Sequence, residues 1–253
     1  MSNAAITSRH RVERWFYINV ALFVIFVNVI GFAPALLEPS GRKVPLPLTP
    51  VVAAHGIVST AFLLLFLAQT TLVATGRRDI HRRLGIASGV LALAFVVLGC
   101  LTVIENARRG FDLSGDLSFF PPPPPGVTLE SAIMSALPFP LTFGILVGAA
   151  FCWRHRPEIH KRLMLLAVIG LVGTPILHMI GHWPALQPWF VVIVPVSAAA
   201  LLSVSAAYDW VMRRRIHHVS IWVPVVLFVF QTGFFPVIVP TAAWQSLTAW
   251  LLQ

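Results

Sequence analysis

The stretch from Arg156 to Trp183 reads RPEIHKRLMLLAVIGLVGTPILHMIGHW, and the rest of the chain can be interpreted outward from it. It opens with a basic segment that contains His160 and continues into an apolar run long enough to cross a bilayer, which takes roughly 20 residues. The run ends with His178 and His182, which are four residues apart and therefore project from one face of a helix. The stretch predicts one membrane-spanning helix with histidines at both ends.

The composition places the whole chain among multi-pass membrane proteins. Of its 253 residues 57% are hydrophobic and 11% are charged, and the mean hydropathy is +0.84. Seven apolar runs can cross a hydrocarbon core about 30 Å thick; they lie at residues 15–37, 50–74, 84–104, 130–153, 162–183, 188–212 and 220–240. We predict an all-α bundle of about seven transmembrane helices forming a single integral membrane domain, residues 1–253. Residues 241–252 follow two prolines and are expected to lie along the membrane interface.

The basic residues predict the orientation of the chain. Fourteen of the 18 Lys and Arg residues fall on the side of the N-terminus, and basic residues accumulate in cytoplasmic loops. The N-terminus is therefore predicted to be cytoplasmic, in a multi-pass membrane protein. The net charge of +9 is spread over short loops between apolar helices, which argues against a nucleic-acid partner and leaves the lipid bilayer as the expected one.

Residues 1–37 can also be interpreted as a signal peptide, because Ala33, Pro34 and Ala35 follow a basic start and an apolar run. The apolar run is long for the hydrophobic core of a signal peptide. Asn19 and Asn28 are typical of residues that pack between helices. We therefore expect a retained first helix, and cleavage would leave the remaining topology unchanged.

The loop at residues 105–129 contains five consecutive prolines, Pro121 to Pro125. Such a run favours an extended polyproline II conformation without internal hydrogen bonds. The loop is expected to be a stiff spacer; a cover over the external face is the alternative.

Two basic segments repeat. RRDIHRRL at 77–84 and RPEIHKRL at 156–163 share Arg, Ile, His, Arg and Leu in register, and RRRIHH at 213–218 is a weaker third copy. Each lies between a helix that goes in and one that comes out. We predict three repeated helical hairpins, formed by spans 2–3, 4–5 and 6–7, in addition to the first helix.

The repeated segments supply one group of candidate site residues. Three histidines with their arginines could surround a cytoplasmic site for an anionic headgroup, a phosphate or a haem propionate; the candidates are His81, His160, His217, Arg77, Arg156 and Arg213. The alternative is that the arginines only set the topology and the histidines only sit at the interface.

A second group of candidates lies within the spans, in the outer third of the membrane. His55, His178 and His182 are ionisable groups in apolar helices, which are costly and by default indicate function. Three imidazoles could bind Cu, Fe or Zn, and two could be the axial ligands of haem b between spans 2 and 5. Met134 would favour copper, and Glu105 could bind the metal or orient an imidazole from behind. The alternative is that these histidines are hydrogen-bonded packing residues.

The motifs HRRLG at 81–85 and RPxxHKRLM at 156–164 resemble those of uncharacterised bacterial polytopic inner-membrane proteins. The chain is also distantly similar to membrane cytochrome b proteins, whose helices hold haem by pairs of histidines. The resemblance covers residues 50–183 and implies a haem between helices. His81 and His160 are predicted to lie in loops, which argues against a second, inner haem.

These observations leave more than one function open. The leading hypothesis is an integral membrane redox or electron-transfer protein that holds haem b or a transition metal near the periplasmic face, with a quinone or a redox protein as partner. The alternative is a cofactor-free carrier or an assembly or scaffold protein. An enzyme acting on a lipid or quinone is a third possibility, although no Ser-His-Asp pattern, Walker loop or CxxC motif is present.

Overall fold

The computed structural model describes residues 3–37, 48–110 and 123–253. Over these ranges the chain is helical and contains no strand. Seven segments are long and apolar enough to cross a membrane: Trp15–Ala35, Pro50–Ala74, Arg78–Arg109, Leu129–Cys152, Pro157–His182, Pro184–Arg213 and Val219–Ile238. The prediction of an all-α bundle with seven spans is therefore confirmed. The prediction for the Pro121 to Pro125 loop falls largely outside the described residues.

The helices are numbered here in chain order. They are α1 (Asn3–Leu37), α2 (Pro50–Ala74), α3 (Arg78–Arg109), α4 (Leu129–Met134), α5 (Pro138–Cys152), α6 (Pro157–Gly170), α7 (Gly173–His182), α8 (Phe190–Arg213), α9 (Val219–Gly233) and α10 (Ala242–Leu251). A 3₁₀ segment, Pro184–Trp189, precedes α8, and a π-helical turn, Phe234–Ile238, follows α9.

The fourth and fifth spans are each broken into two helices. Residues Ser135–Leu137 separate α4 from α5, which begins at Pro138. Leu171 and Val172 separate α6 from α7, two residues before Pro175. A proline has no N–H for the helical ladder and fits best in a first turn, and both breaks lie directly before a helix with a proline in its first turn.

The spans are arranged as a closed ring with an outer pair. Going round the ring, α1 contacts α2, α2 contacts α3, α3 contacts α5, α5 contacts α6, and both α6 and α7 contact α1. The aromatic rings of Phe62, Phe95 and Phe143 meet inside it, with centroids 4.5 to 6.4 Å apart. Helices α8 and α9 contact α6. The predicted hairpins are present as the contacting pairs α2–α3, α5–α6 and α8–α9.

The fifth span is the centre of this arrangement. In Pro157–His182, 56% of the most apolar window is buried, compared with 11% to 28% in the other six spans. Every residue from Leu165 to Ile169 is at most 2% exposed. The fifth span is therefore the span most enclosed by the other helices.

The segment predicted to be interfacial forms α10, which packs against α4. Trp244 is buried, and its indole N–H donates a hydrogen bond to the carbonyl oxygen of Ser131 at 3.2 Å. Met134, Ala107 and Val239 complete this small cluster. The location of α10 at a membrane surface stays a prediction.

Candidate functional site

One end of the bundle carries the repeated basic segments, and we call it the basic end. It comprises residues 75–83, 153–162 and 209–220. Two histidines lie in the first turns of α3 and α6 at this end, and a set of buried charges joins α6 to α8 and α9. The end that carries His55 and His178 is called the opposite end.

The buried charges centre on an ion pair between Arg162 of α6 and Asp209 of α8. Their side chains are 1% and 0% exposed. The guanidinium Nε donates to Asp209 Oδ2 at 2.9 Å, and Nη2 donates to Oδ1. Two parallel charge-assisted hydrogen bonds fix both distance and orientation, so this contact holds α6 and α8 in one register.

Further donors complete the coordination of Asp209. Its Oδ2 accepts from the hydroxyl of Ser220 at 2.7 Å and from the backbone N–H of His217 at 3.1 Å. The Ser220 hydroxyl also lies 2.8 Å from that of Ser205, which is fully buried. The carboxylate is therefore stabilised by three elements: α6, the segment before α9, and the first turn of α9.

Glu158 links this ion pair to the surface. Its Oε2 accepts from Arg162 Nη1 at 2.8 Å and from Arg213 Nη1 at 2.6 Å. The Glu158 side chain is 44% exposed and that of Arg213 is 37% exposed. We call Arg162, Asp209, Glu158, Arg213 and Ser220 together the charge cluster.

His217 lies at the edge of the charge cluster, between the spans that end at Arg213 and begin at Val219. Partial burial lowers the pKa of this imidazole, and the nearby Arg162 guanidinium and His218 lower it further, against weaker opposing effects of Asp209 and Glu158. Its Nδ1 accepts the backbone N–H of Val219 at 3.2 Å, which only the unprotonated nitrogen can do.

His81 and His160 lie on helices, so the prediction that they occupy loops is wrong. Helix α3 begins at Arg78 with Asp79 in its first turn, and α6 begins at Pro157 with Glu158 in its first turn. Acidic residues and proline are favoured at these positions by the helix dipole and by the missing intrahelical partners there. Each spanning helix therefore extends further into its basic segment than the apolar run indicated.

The two histidine rings face one another across the basic end. Their centroids are 6.4 Å apart, with an angle of 77° between the planes. His160 Nδ1 lies 2.8 Å from the carbonyl oxygen of Ala150. His81 Nδ1 is buried, and no hydrogen-bond partner for it occurs among the residues the structure describes.

The structure thus divides the candidates at the basic end into three groups. It brings His81 and His160 together, whereas Arg213 and the backbone of His217 belong to the charge cluster. The remaining candidates, Arg77 and Arg156, are exposed residues immediately before α3 and α6.

At the opposite end, His55 packs inside the ring of helices. Its ring centroid is 5.0 Å from that of Phe95 on α3, and its Nε2 is 3.5 Å from the hydroxyl of Ser59. A Cβ on Gly99 would come within 3.3 Å of the imidazole and 2.9 Å of Pro140 Cβ, so α2, α3 and α5 approach closely here. His55 Nδ1 is buried and has no hydrogen-bond partner within 3–37, 48–110 and 123–253.

His178 lies between α7 and α1. Its side chain is 4% exposed, and its ring centroid is 4.8 Å from that of Phe32. One turn earlier, Pro175 packs so closely on Gly31 that a Cβ there would lie 2.4 Å from the proline Cβ. His182 is half-buried beside Trp183, at a ring separation of 5.8 Å.

The other two candidates for a metal site have different surroundings. Met134 is fully buried in the α10 cluster, and Glu105 is half-buried on α3. Within the described part of the chain, no group of three or more His, Cys, Asp or Glu side chains is arranged to hold a metal ion. Two histidines that bind a haem iron would not form such a group of three. The expectation of a bound haem or metal therefore stays a prediction.

Sequence reasoning missed the charge cluster. Asp209 is the one acidic residue in α8, and an acid within an apolar span was the available signal. Ser205 and Ser220 gave none, because serines are ordinary in membrane helices. No family model, curated protein or solved structure matches this chain, so no role is assigned to these residues from a relative.

Proposed function

We propose that this multi-pass membrane protein is a redox or electron-transfer protein that holds haem b near the opposite end through His55 and His178. The observation that carries the proposal is a pair of imidazoles placed inside membrane spans, each against an aromatic ring of another helix. Ionisable groups in such positions are costly to maintain, and iron coordination by two imidazoles is a common reason for them.

The two histidines are at similar depths. His55 follows the start of α2 at Pro50 by five residues, and His178 precedes the end of α7 at His182 by four. At about 1.5 Å per residue these positions lie about 7.5 Å and 6 Å inside their helix ends. A metal bound between α2 and α7 would therefore lie in the outer third of the bundle.

Two features of the surroundings support the proposal. The buried Nδ1 of His55 carries no competing hydrogen bond among the described residues, and Phe95 holds the ring from α3. Phe32 holds the His178 ring from α1. The haem supplies one-electron chemistry, while these residues would orient the imidazoles and exclude water, which sets the reduction potential. A copper, iron or zinc ion with His182 as third ligand is the other form of the proposal.

The distribution of arginine supports a location for this site in the cell. We take the basic end to face the cytoplasm of a bacterial inner membrane, as the distribution of arginine predicts. The haem would then lie near the periplasmic face, where a quinone or a redox protein could exchange electrons with it.

The test is an absorption spectrum and elemental analysis of the detergent-purified protein, oxidised and dithionite-reduced, with no added metal. We expect a Soret band that shifts on reduction and is lost in His55→Ala and His178→Ala. His155→Ala is the matched control, because His155 is exposed at the basic end. Unchanged haem and metal content in both site variants would refute the proposal.

The charge cluster favours a second candidate, a cofactor-free carrier or a scaffold. It places two fully buried charges at one end of a bundle, as in proteins that move a proton or ion through a membrane. A colourless, metal-free purified protein that retains its helical fold would favour this candidate over the redox protein.

A further inference from the structure

We propose that His81 and His160 form a second haem site, in which the two imidazoles are the axial ligands of one iron at the basic end. This site uses residues other than those of the proposed function and does not depend on it. The inference rests on the separation of the two rings, on the hydrogen bond of His160 and on the charges around the pair.

The separation of the rings matches a trans arrangement. With a metal–nitrogen bond of about 2.0–2.1 Å and a nitrogen about 1.1 Å from its ring centroid, two trans imidazoles have centroids about 6.3 Å apart, whereas two ligands of a tetrahedral ion have centroids about 5.2 Å apart. The observed distance is 6.4 Å. The pair is therefore spaced for opposite faces of one metal rather than for a tetrahedral zinc ion.

His160 is held in the tautomer that a metal requires. Its Nδ1–H donates to the Ala150 carbonyl oxygen at 2.8 Å, so the proton is on Nδ1 and the lone pair is on Nε2. Imidazoles bound to metals nearly always make such a hydrogen bond with the other nitrogen, because it fixes the ring and makes the ligand more basic.

Among the described residues the pair supplies two protein ligands, and two ligands suit a haem better than a bare ion. No group of three or more metal-binding side chains occurs in the part of the chain that the structure describes. A porphyrin supplies four nitrogens, so the iron needs only two more ligands. His81 comes from α3 and His160 from α6, at equivalent positions of the two repeated segments, so each hairpin contributes one ligand.

The charges nearby also favour haem. Arg82 follows His81 directly, Arg77 precedes α3 and Arg156 precedes α6, and all three are exposed. Several guanidinium groups disfavour a bare cation, whereas they can pair with the two propionates of a haem. The exposed positions of these arginines fit the polar edge of a haem that faces the membrane surface.

The experiment is a titration of the full-length chain, purified in nanodiscs and stripped of bound haem, with hemin. Binding is followed at the Soret band, and haem per chain is measured by pyridine haemochrome. We expect His81→Ala and His160→Ala each to lose one equivalent of six-coordinate haem relative to the wild type and to His155→Ala. The His55→Ala/His178→Ala variant should retain that equivalent.

A ligand-type variant separates coordination from a structural role. Methionine also binds haem iron, so His81→Met should keep the equivalent and change the spectrum of the reduced protein to that of a His/Met haem. Equal stoichiometry in His81→Ala, His160→Ala and the wild type would overturn this inference, whatever happens at His55 and His178. If only His55→Ala/His178→Ala loses haem, the proposed function is supported and the second site is refuted. Binding of Cu(I) but not hemin by the pair would overturn the haem assignment.

Discussion

Replacing Asp209 with asparagine keeps the size of the side chain and removes the charge that compensates Arg162. Asp209 is fully buried, and the guanidinium it faces is 1% exposed. The remaining acceptor, Glu158, reaches Arg162 Nη1 at 2.8 Å but is 44% exposed. The variant therefore leaves a buried guanidinium whose other carboxylate is partly hydrated.

The expected loss of stability follows from that geometry. Removing one partner of a buried ion pair costs about 3–5 kcal/mol, and Glu158 retains part of the compensation, so we expect about 3 kcal/mol for Asp209→Asn. Glu158→Gln is the matched control and should cost at most about 1 kcal/mol, because the Glu158 carboxylate is 44% exposed and water screens its ion pairs. Adding Arg162→Met to Asp209→Asn should restore stability, since the double variant buries no unpaired charge.

The assay is reversible unfolding in mixed micelles, with helix content followed by circular dichroism as the denaturing detergent fraction rises. The wild type, Asp209→Asn, Arg162→Met, their double variant and Glu158→Gln are measured at one pH and one ionic strength. A loss in Asp209→Asn no larger than that in Glu158→Gln would refute the argument. So would a double variant that is no more stable than Asp209→Asn alone.

Two further predictions concern packing and pH. Gly31→Ala places a Cβ 2.4 Å from Pro175 Cβ and 2.7 Å from its backbone and should cost about 1–3 kcal/mol in the same unfolding assay; Gly56→Ala, which meets nothing within 4 Å, is the control, and equal stability of the two variants would contradict the close α1–α7 contact. Stability should fall as the pH drops below about 6.5, because His217 has a lowered pKa when folded, so the unfolded chain takes up the proton more readily. The groups acting on this imidazole are Arg162, His218, Asp209 and Glu158. His217→Gln should flatten the thermal-stability profile between pH 7 and about pH 5, and an unchanged slope would refute this assignment.

The seven spans could be predicted because bilayer thickness imposes a length and an apolar composition on each helix. The breaks before α5 and α7 could be located from prolines, whose missing N–H acts locally. The residues at which helices begin were less predictable. Helix α3 starts at Arg78 and α6 at Pro157, well before the apolar runs, because acidic residues in the first turn, and in α6 a proline, favour a helix start there.

The partners of polar residues could not be predicted. Arg162 reads as one more basic residue near the end of a span, and its bidentate acceptor, Asp209, is 47 positions away. Nothing local pairs them, since the contact depends on how α8 packs against α6. The pairing of His81 with His160 is similar: the repeat made them equivalent in sequence, and only the packing of α3 and α6 places their rings 6.4 Å apart.

The break between α6 and α7 and the charge cluster together constrain how the chain enters the membrane. Because α6 precedes α8 in the chain, Arg162 emerges during synthesis before Asp209 does. Glu158, one turn earlier on the same helix, is the acceptor already present, and it remains near the surface where water can hydrate it. A long arginine side chain can keep its guanidinium in water while its stem packs on apolar surface, and Arg162 gains its buried carboxylate only when α8 is in place. The burial of the basic end of the fifth span therefore depends on the two spans that follow it in the chain, which supply Asp209 and Ser220.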